Sequence, residues 1–167
     1  MHMVTLVFSI FATWYWGDWR NWKKYHTTML YVAVGNLLYH LIYHDYLLWE
    51  LTSPILFRIH FIGESVYSFI VLPCTALIFL TNYPENFKGQ IFRIAKFLLI
   101  YISLEWIASM YGFIIYHNNW NFGWSVLWDL MMFPMLVLHH KRPLIAYIGS
   151  IFIVIIILYF FPMPLLQ

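Results

Sequence analysis

The sequence predicts an all-α membrane domain: a polytopic transmembrane helical bundle of about six helices, or five if the first does not span. Three observations predict it. The 167 residues are 63% hydrophobic and only 10% charged, whereas an ordinary soluble domain is about 25% charged. So few polar residues cannot cover a water-exposed surface. Apolar runs near bilayer-crossing length recur along the whole chain. The charges are also sorted by sign. Arg20, Lys23 and Lys24, then Lys88, Arg93 and Lys96, then Lys141 and Arg142 fill three short polar breaks, while Glu64, Glu105 and Asp129 lie inside apolar runs.

The length leaves room for a single integral membrane domain, residues 1–167. The net charge of +2 comes from the loops and implies no nucleic-acid partner. Cys74 is alone, so no intrachain disulfide forms. A basic n-region and a small-residue cleavage site are missing at the start, so no removed signal peptide is expected.

The elements follow in order. Met1–Trp16 is apolar but short: 16 residues reach roughly 24 Å, against a hydrocarbon core of about 30 Å. It is read as a span. Trp16, Trp19 and Trp22 then recur every third residue beside Arg20, Lys23 and Lys24. Indoles suit the membrane interface and cations attract anionic headgroups there, so these six read as interfacial lipid contacts. Thr28–Trp49 and Ile55–Thr81 are the next two spans, with a turn at Tyr83-Pro84. Ile91–Tyr116 follows, then a second turn over Asn118–Gly123. Phe122–Leu138 and Leu144–Phe161 complete the set. Between them His139, His140, Lys141 and Arg142 read as a further interfacial lipid contact, with Pro143 opening the last helix. The basic breaks follow the first, third and fifth segments, so the positive-inside rule places them in the cytoplasm and the C-terminus outside.

Ionisable groups inside a span are costly and mark sites. The second span carries Asn36, His40 and His44; the third carries Arg58, His60 and Glu64. Counting about 1.5 Å per residue along antiparallel helices puts His40 level with Glu64, and His44 level with His60. Glu105 lies mid-span in the fourth, with Tyr101, Ser109 and Gly112 near its face. Asp129 lies in the fifth, one turn from Ser125. Asn36, His40, Glu64, Glu105 and Asp129 therefore form the candidate interior polar site. Three chemistries fit it. Carboxylates and His can pass protons or bind a small solute or ion. His40, His44, His60 and Glu64 are acceptable ligands for a transition metal or haem iron. Interhelical hydrogen bonds can also serve packing alone. The leading expectation is a small solute or ion binding or transport protein with a protonatable interior. The alternatives are a structural or regulatory subunit of a membrane complex, or a homo-oligomer, and a metal- or haem-dependent membrane enzyme. No Lys lies in the middle of a span to form a retinal Schiff base, and no nucleophile–base spacing stands out.

Three stretches carry a family resemblance: Gly17-Asp18-Trp19-Arg20-Asn21-Trp22-Lys23-Lys24-Tyr25; Tyr116-His117-Asn118-Asn119-Trp120-Asn121; and Met132-Phe133-Pro134-Met135 with His139-His140-Lys141-Arg142-Pro143-Leu144. With Glu105 and the hydropathy pattern, the chain resembles an uncharacterised family of small multi-spanning membrane proteins from Gram-positive spore-forming bacteria. The resemblance implies a helical bundle in the bacterial cytoplasmic membrane and no particular activity. The tryptophan content invites comparison with tryptophan-rich sensory proteins, but their early proline-tryptophan signature is absent.

Overall fold

A computed structural model of the chain describes residues 2–52 and 60–163, and these are mostly helical. Helix α1 (His2–Trp16) stops at Gly17, where a Cβ would collide with the Thr13 carbonyl that the Gly17 N–H itself bonds at 2.9 Å. A 3-10 helix (Trp19–Lys24) follows. It kinks at Asn21 (φ −111°, ψ 26°), between Trp19 and Trp22. Helix α2 (His26–Ile42) comes next. The stretch 60–80 is helical without a break: α3 (His60–Val66), a π-helical turn (Tyr67–Val71) and α4 (Leu72–Leu80). The π turn has a local cause. Pro73 offers no N–H, and its ring presses on the carbonyl four residues back, at Phe69 within that turn. Helices α5 (Phe87–Met110), α6 (Phe122–Lys141) and α7 (Pro143–Phe160) complete the helical set.

Two short strands, β1 (Trp49–Leu51) and β2 (Ile114–Tyr116), pair antiparallel with Trp49 opposite Tyr116 and Leu51 opposite Ile114. This ribbon corrects the expected boundaries of two spans. The helix read as Thr28–Trp49 ends at Ile42, because the Tyr39 hydroxyl accepts the backbone N–H groups of Leu48 (3.0 Å) and Trp49 (3.2 Å) and folds the chain back. The helix read as Ile91–Tyr116 ends at Met110, and Gly112 turns with φ +68° ahead of β2.

Among the described residues, three helical stretches are long and apolar enough to cross a membrane: Gly63–Leu80, Phe122–Lys141 and Pro143–Phe160; Met3–Trp16 is apolar but shorter. The first is central, with 61% of its residues buried, while α7 is peripheral at 6%. Helix α4 packs against α1 and α2, α6 against α5, α2 and α7. The main core joins Leu77, Phe79 and Leu80 of α4 to Phe97 of α5 and Phe133 and Leu136 of α6.

The molecule has two unlike ends. At one, the 3-10 helix, the end of α4, the start of α5 and the end of α6 meet. The Asp18 N–H bonds the Thr81 hydroxyl (3.1 Å). The Arg93 guanidinium caps α4 by donating to the carbonyls of Ile78 (2.9 Å), Phe79 (3.2 Å) and Thr81 (2.7 Å). All three basic breaks of the sequence come together here. At the other end, Tyr39 stacks on Trp49 at 3.9 Å, and Trp49, Trp120 and Phe161 continue an aromatic layer beside the ribbon.

Candidate functional site

Helices α2 and α3 bring His40 and Glu64 together: Nε2 of His40 lies 2.6 Å from Oε2 of Glu64. Glu64 is 6% exposed, and its second oxygen, Oε1, is buried without a hydrogen-bond partner among the described residues. One turn along, the π turn places Ser68 on the same face. Its hydroxyl donates to the Glu64 carbonyl (2.8 Å) and accepts from the Asn36 amide (2.9 Å). Asn36, His40, Glu64 and Ser68 thus form one polar seam between α2 and the helix of residues 60–80. Ser68 stands at i+4 from Glu64, a spacing that puts both on one helix face and is visible in the sequence.

A second seam lies between α5 and α6. The Tyr116 hydroxyl, delivered by β2, donates to Glu105 Oε1 at 2.8 Å. Ser125 accepts from the Trp120 indole at 2.9 Å. Asp129, 6% exposed, carries an Oδ2 atom that is buried and without a hydrogen-bond partner among the described residues. It lies within electrostatic reach of Glu105 and of Tyr101. Nothing in the sequence pointed to Tyr116, whose contact depends on the ribbon.

The five expected site residues therefore fall into two clusters rather than around one point. Tyr67 and Tyr101 lie between them. Tyr67 is within electrostatic reach of Glu64 and of Tyr101, and the Tyr101 hydroxyl donates to Thr75 at 2.7 Å. Tyr67 and Tyr101 thus link the two seams electrostatically.

Among the described residues, the expected metal ligands are not brought together. His44 lies beyond the end of α2, exposed, and pairs with the neighbouring Asp45 at 2.8 Å, away from His40. The side chain of His60, and all of Arg58, lie outside the described residues. No group of three or more His, Cys, Asp or Glu that could hold a metal ion is found among the described residues.

The basic end needs one correction. Trp16, Trp19 and Trp22 are exposed, as are Arg20, Lys23, Lys24, Lys141 and Arg142, and His140 is half-buried. His139 is not at the surface at all: it is 2% exposed. Its Nδ1 pairs with the Thr28 hydroxyl (3.0 Å), its Nε2 with the Tyr147 hydroxyl (3.2 Å), and its ring stacks on Tyr31 at 4.2 Å. It joins α2, α6 and α7 as a satisfied core histidine. Its neighbour His140 stacks on Tyr25. No protein-family model, curated protein or solved structure matches the chain.

Proposed function

We propose that the protein is a multi-pass protein of the bacterial cytoplasmic membrane. In this reading α1, α2, the helix of residues 60–80, α5, α6 and α7 are its six spans, and the basic end faces the cytoplasm. The three long apolar stretches support a membrane location. The gathering of the basic breaks at one end supports the orientation. The segment α5 carries Lys88, Arg93 and Lys96 in its first turns. Its 24 residues extend roughly 36 Å at helical rise, about one turn more than the hydrocarbon core, so Lys88 stands outside it and the long side chains of Arg93 and Lys96 reach back toward the interface.

Within that bundle we infer a binding or transport site for a small solute or ion, loaded and released by protonation of buried carboxyl groups. The observation that carries this reading is the buried His40–Glu64 contact at 2.6 Å, with the second Glu64 oxygen without a hydrogen bond to any described residue. A purely structural pair would be expected to satisfy both oxygens, because an unpaired buried acceptor costs about 1–3 kcal/mol. Glu64 and Asp129 would be the groups that bind and release the cargo, with Asn36 and Ser68 orienting the first seam.

The test uses purified protein in liposomes with an internal pH dye. Wild-type vesicles should pass protons or a monovalent cation faster than empty ones, and Glu64→Gln and Asp129→Asn should abolish the excess. If wild-type and empty vesicles leak alike, and tryptophan fluorescence is flat across pH 4–9, the seams are packing networks and the proposal fails.

A further inference from the structure

We infer that the basic end carries a seat for the phosphate of an anionic phospholipid, formed by Lys24, His140 and Lys141. This rests on the membrane reading, since it requires a lipid surface at that end. The two sequence stretches read above as separate lipid contacts become one feature in the fold. The Tyr25 ring stacks on His140 at 5.6 Å and 20° between planes. Lys24 Nζ stands 5.6 Å above the centre of that same Tyr25 ring, and Lys141 Nζ 5.7 Å above Tyr83. Both lysines act electrostatically on His140. The aromatic faces hold two long, flexible cations in place, so less freedom is lost when an anion arrives.

No acid among the described residues is ion-paired with this cluster. Every ion pair among the described residues joins a His to a carboxylate, and none includes a Lys or Arg. The Asp18 carboxylate accepts from the Asn21 amide (3.1 and 3.0 Å) and acts on the Tyr25 hydroxyl, and it forms no ion pair with Lys24 or Lys141. Cations crowded without counter-charge attract an external anion. The surroundings select a lipid over a soluble anion. Trp19 and Trp22 are 39% and 40% exposed on the adjoining 3-10 helix, and Leu144, 75% exposed, opens the apolar face of α7 directly after the basic run. A phospholipid satisfies both parts, its phosphate on the cations and its chain along Leu144.

The experiment titrates the full-length protein in a neutral maltoside detergent with phosphatidylglycerol, with phosphatidylcholine, and with inorganic phosphate, reading thermal stability and bound lipid by native mass spectrometry. Phosphatidylglycerol should bind and stabilise, while the other two do neither. Lys24→Gln with Lys141→Gln should weaken that binding roughly thirtyfold, about fivefold for each cation removed beside an anionic surface. Lys24→Arg with Lys141→Arg should retain it, which separates lost charge from misfolding. Lys88→Gln with Lys96→Gln removes equal charge elsewhere on that end and should change affinity less than twofold. Equal losses in the two Gln pairs, equal binding of phosphatidylcholine, or full stabilisation by inorganic phosphate would each overturn the seat. Flotation with vesicles of either lipid is the separate check on the membrane reading: failure to float with both sinks that reading, whereas floating with both but showing no anionic preference sinks only this inference.

Discussion

His40 and Glu64 touch at 2.6 Å, and the energetic weight of that contact lies in what its loss would leave behind. His40→Leu strands a buried carboxyl and should cost about 3 kcal/mol or more, while changing both residues to Leu should cost less than the sum of the single changes. Denaturant titrations of the two single variants and the double variant in detergent measure that coupling. A pair of tyrosines at the basic end makes a different prediction. Burial, and secondarily the Asp18 carboxylate, push the Tyr25 hydroxyl above its ordinary value of 10; burial does the same to Tyr83, against the pull of Arg93. Above pH 10 the unfolded chain sheds these protons before the folded one does. The folded state then binds more protons, so stability should fall as pH rises past 10 and be unaffected by these groups below it. Melting temperatures across pH 8–12 check this, and Tyr25→Phe should soften the fall. The sequence made the His40–Glu64 level legible because antiparallel helices convert residue count into depth. His139 was not legible. Its neighbours Lys141 and Arg142 mark a surface anchor, and its partners Thr28 and Tyr147 become neighbours only after three helices pack.

Arg93 shows how an element is closed. The last carbonyls of α4 have no intrahelical donor, and one guanidinium supplies three of them. Arg93→Ala should cost about 1–3 kcal/mol, the range for hydrogen bonds to a charged group. Arg93→Lys should recover only part, because a single ammonium lacks the planar fork that spans several carbonyls. Thermal unfolding in detergent compares them. Gly112 closes the other helix end in a left-handed turn, so Gly112→Ala should cost about 1–2 kcal/mol and loosen the ribbon. Helix positions were readable from hydropathy to within a few residues at most ends. The exceptions are the ends of α2 and α5, and both have the same cause. Pairing of Trp49–Leu51 with Ile114–Tyr116 is a contact between distant segments, and no local pattern announces it. The π turn was equally silent, although Pro73 marks the place where a helix must adjust.

At the scale of the whole molecule the separation into a basic end and an aromatic end makes the orientation testable. In a Cys74→Ala background, a cysteine at Asn119 should react with an impermeant maleimide added outside intact cells, and a cysteine at Asn21 should react only after lysis. The reverse pattern would invert the topology. The sorting of charge along the sequence foreshadowed this division, but not the aromatic layer that closes the opposite end. Contacts between early and late helices add a temporal consequence. Tyr31 bonds Ser150 of α7 at 2.7 Å, and Tyr43 donates to the Phe161 carbonyl at 3.0 Å. The second helix therefore waits for the last one. In the proposed membrane reading, α2 reaches the bilayer before α7 leaves the ribosome, so the Tyr31 and Tyr43 hydroxyls lack these partners until the last helix arrives. In that reading α7 completes the bundle, and a chain stalled after Lys141 should remain open to proteases.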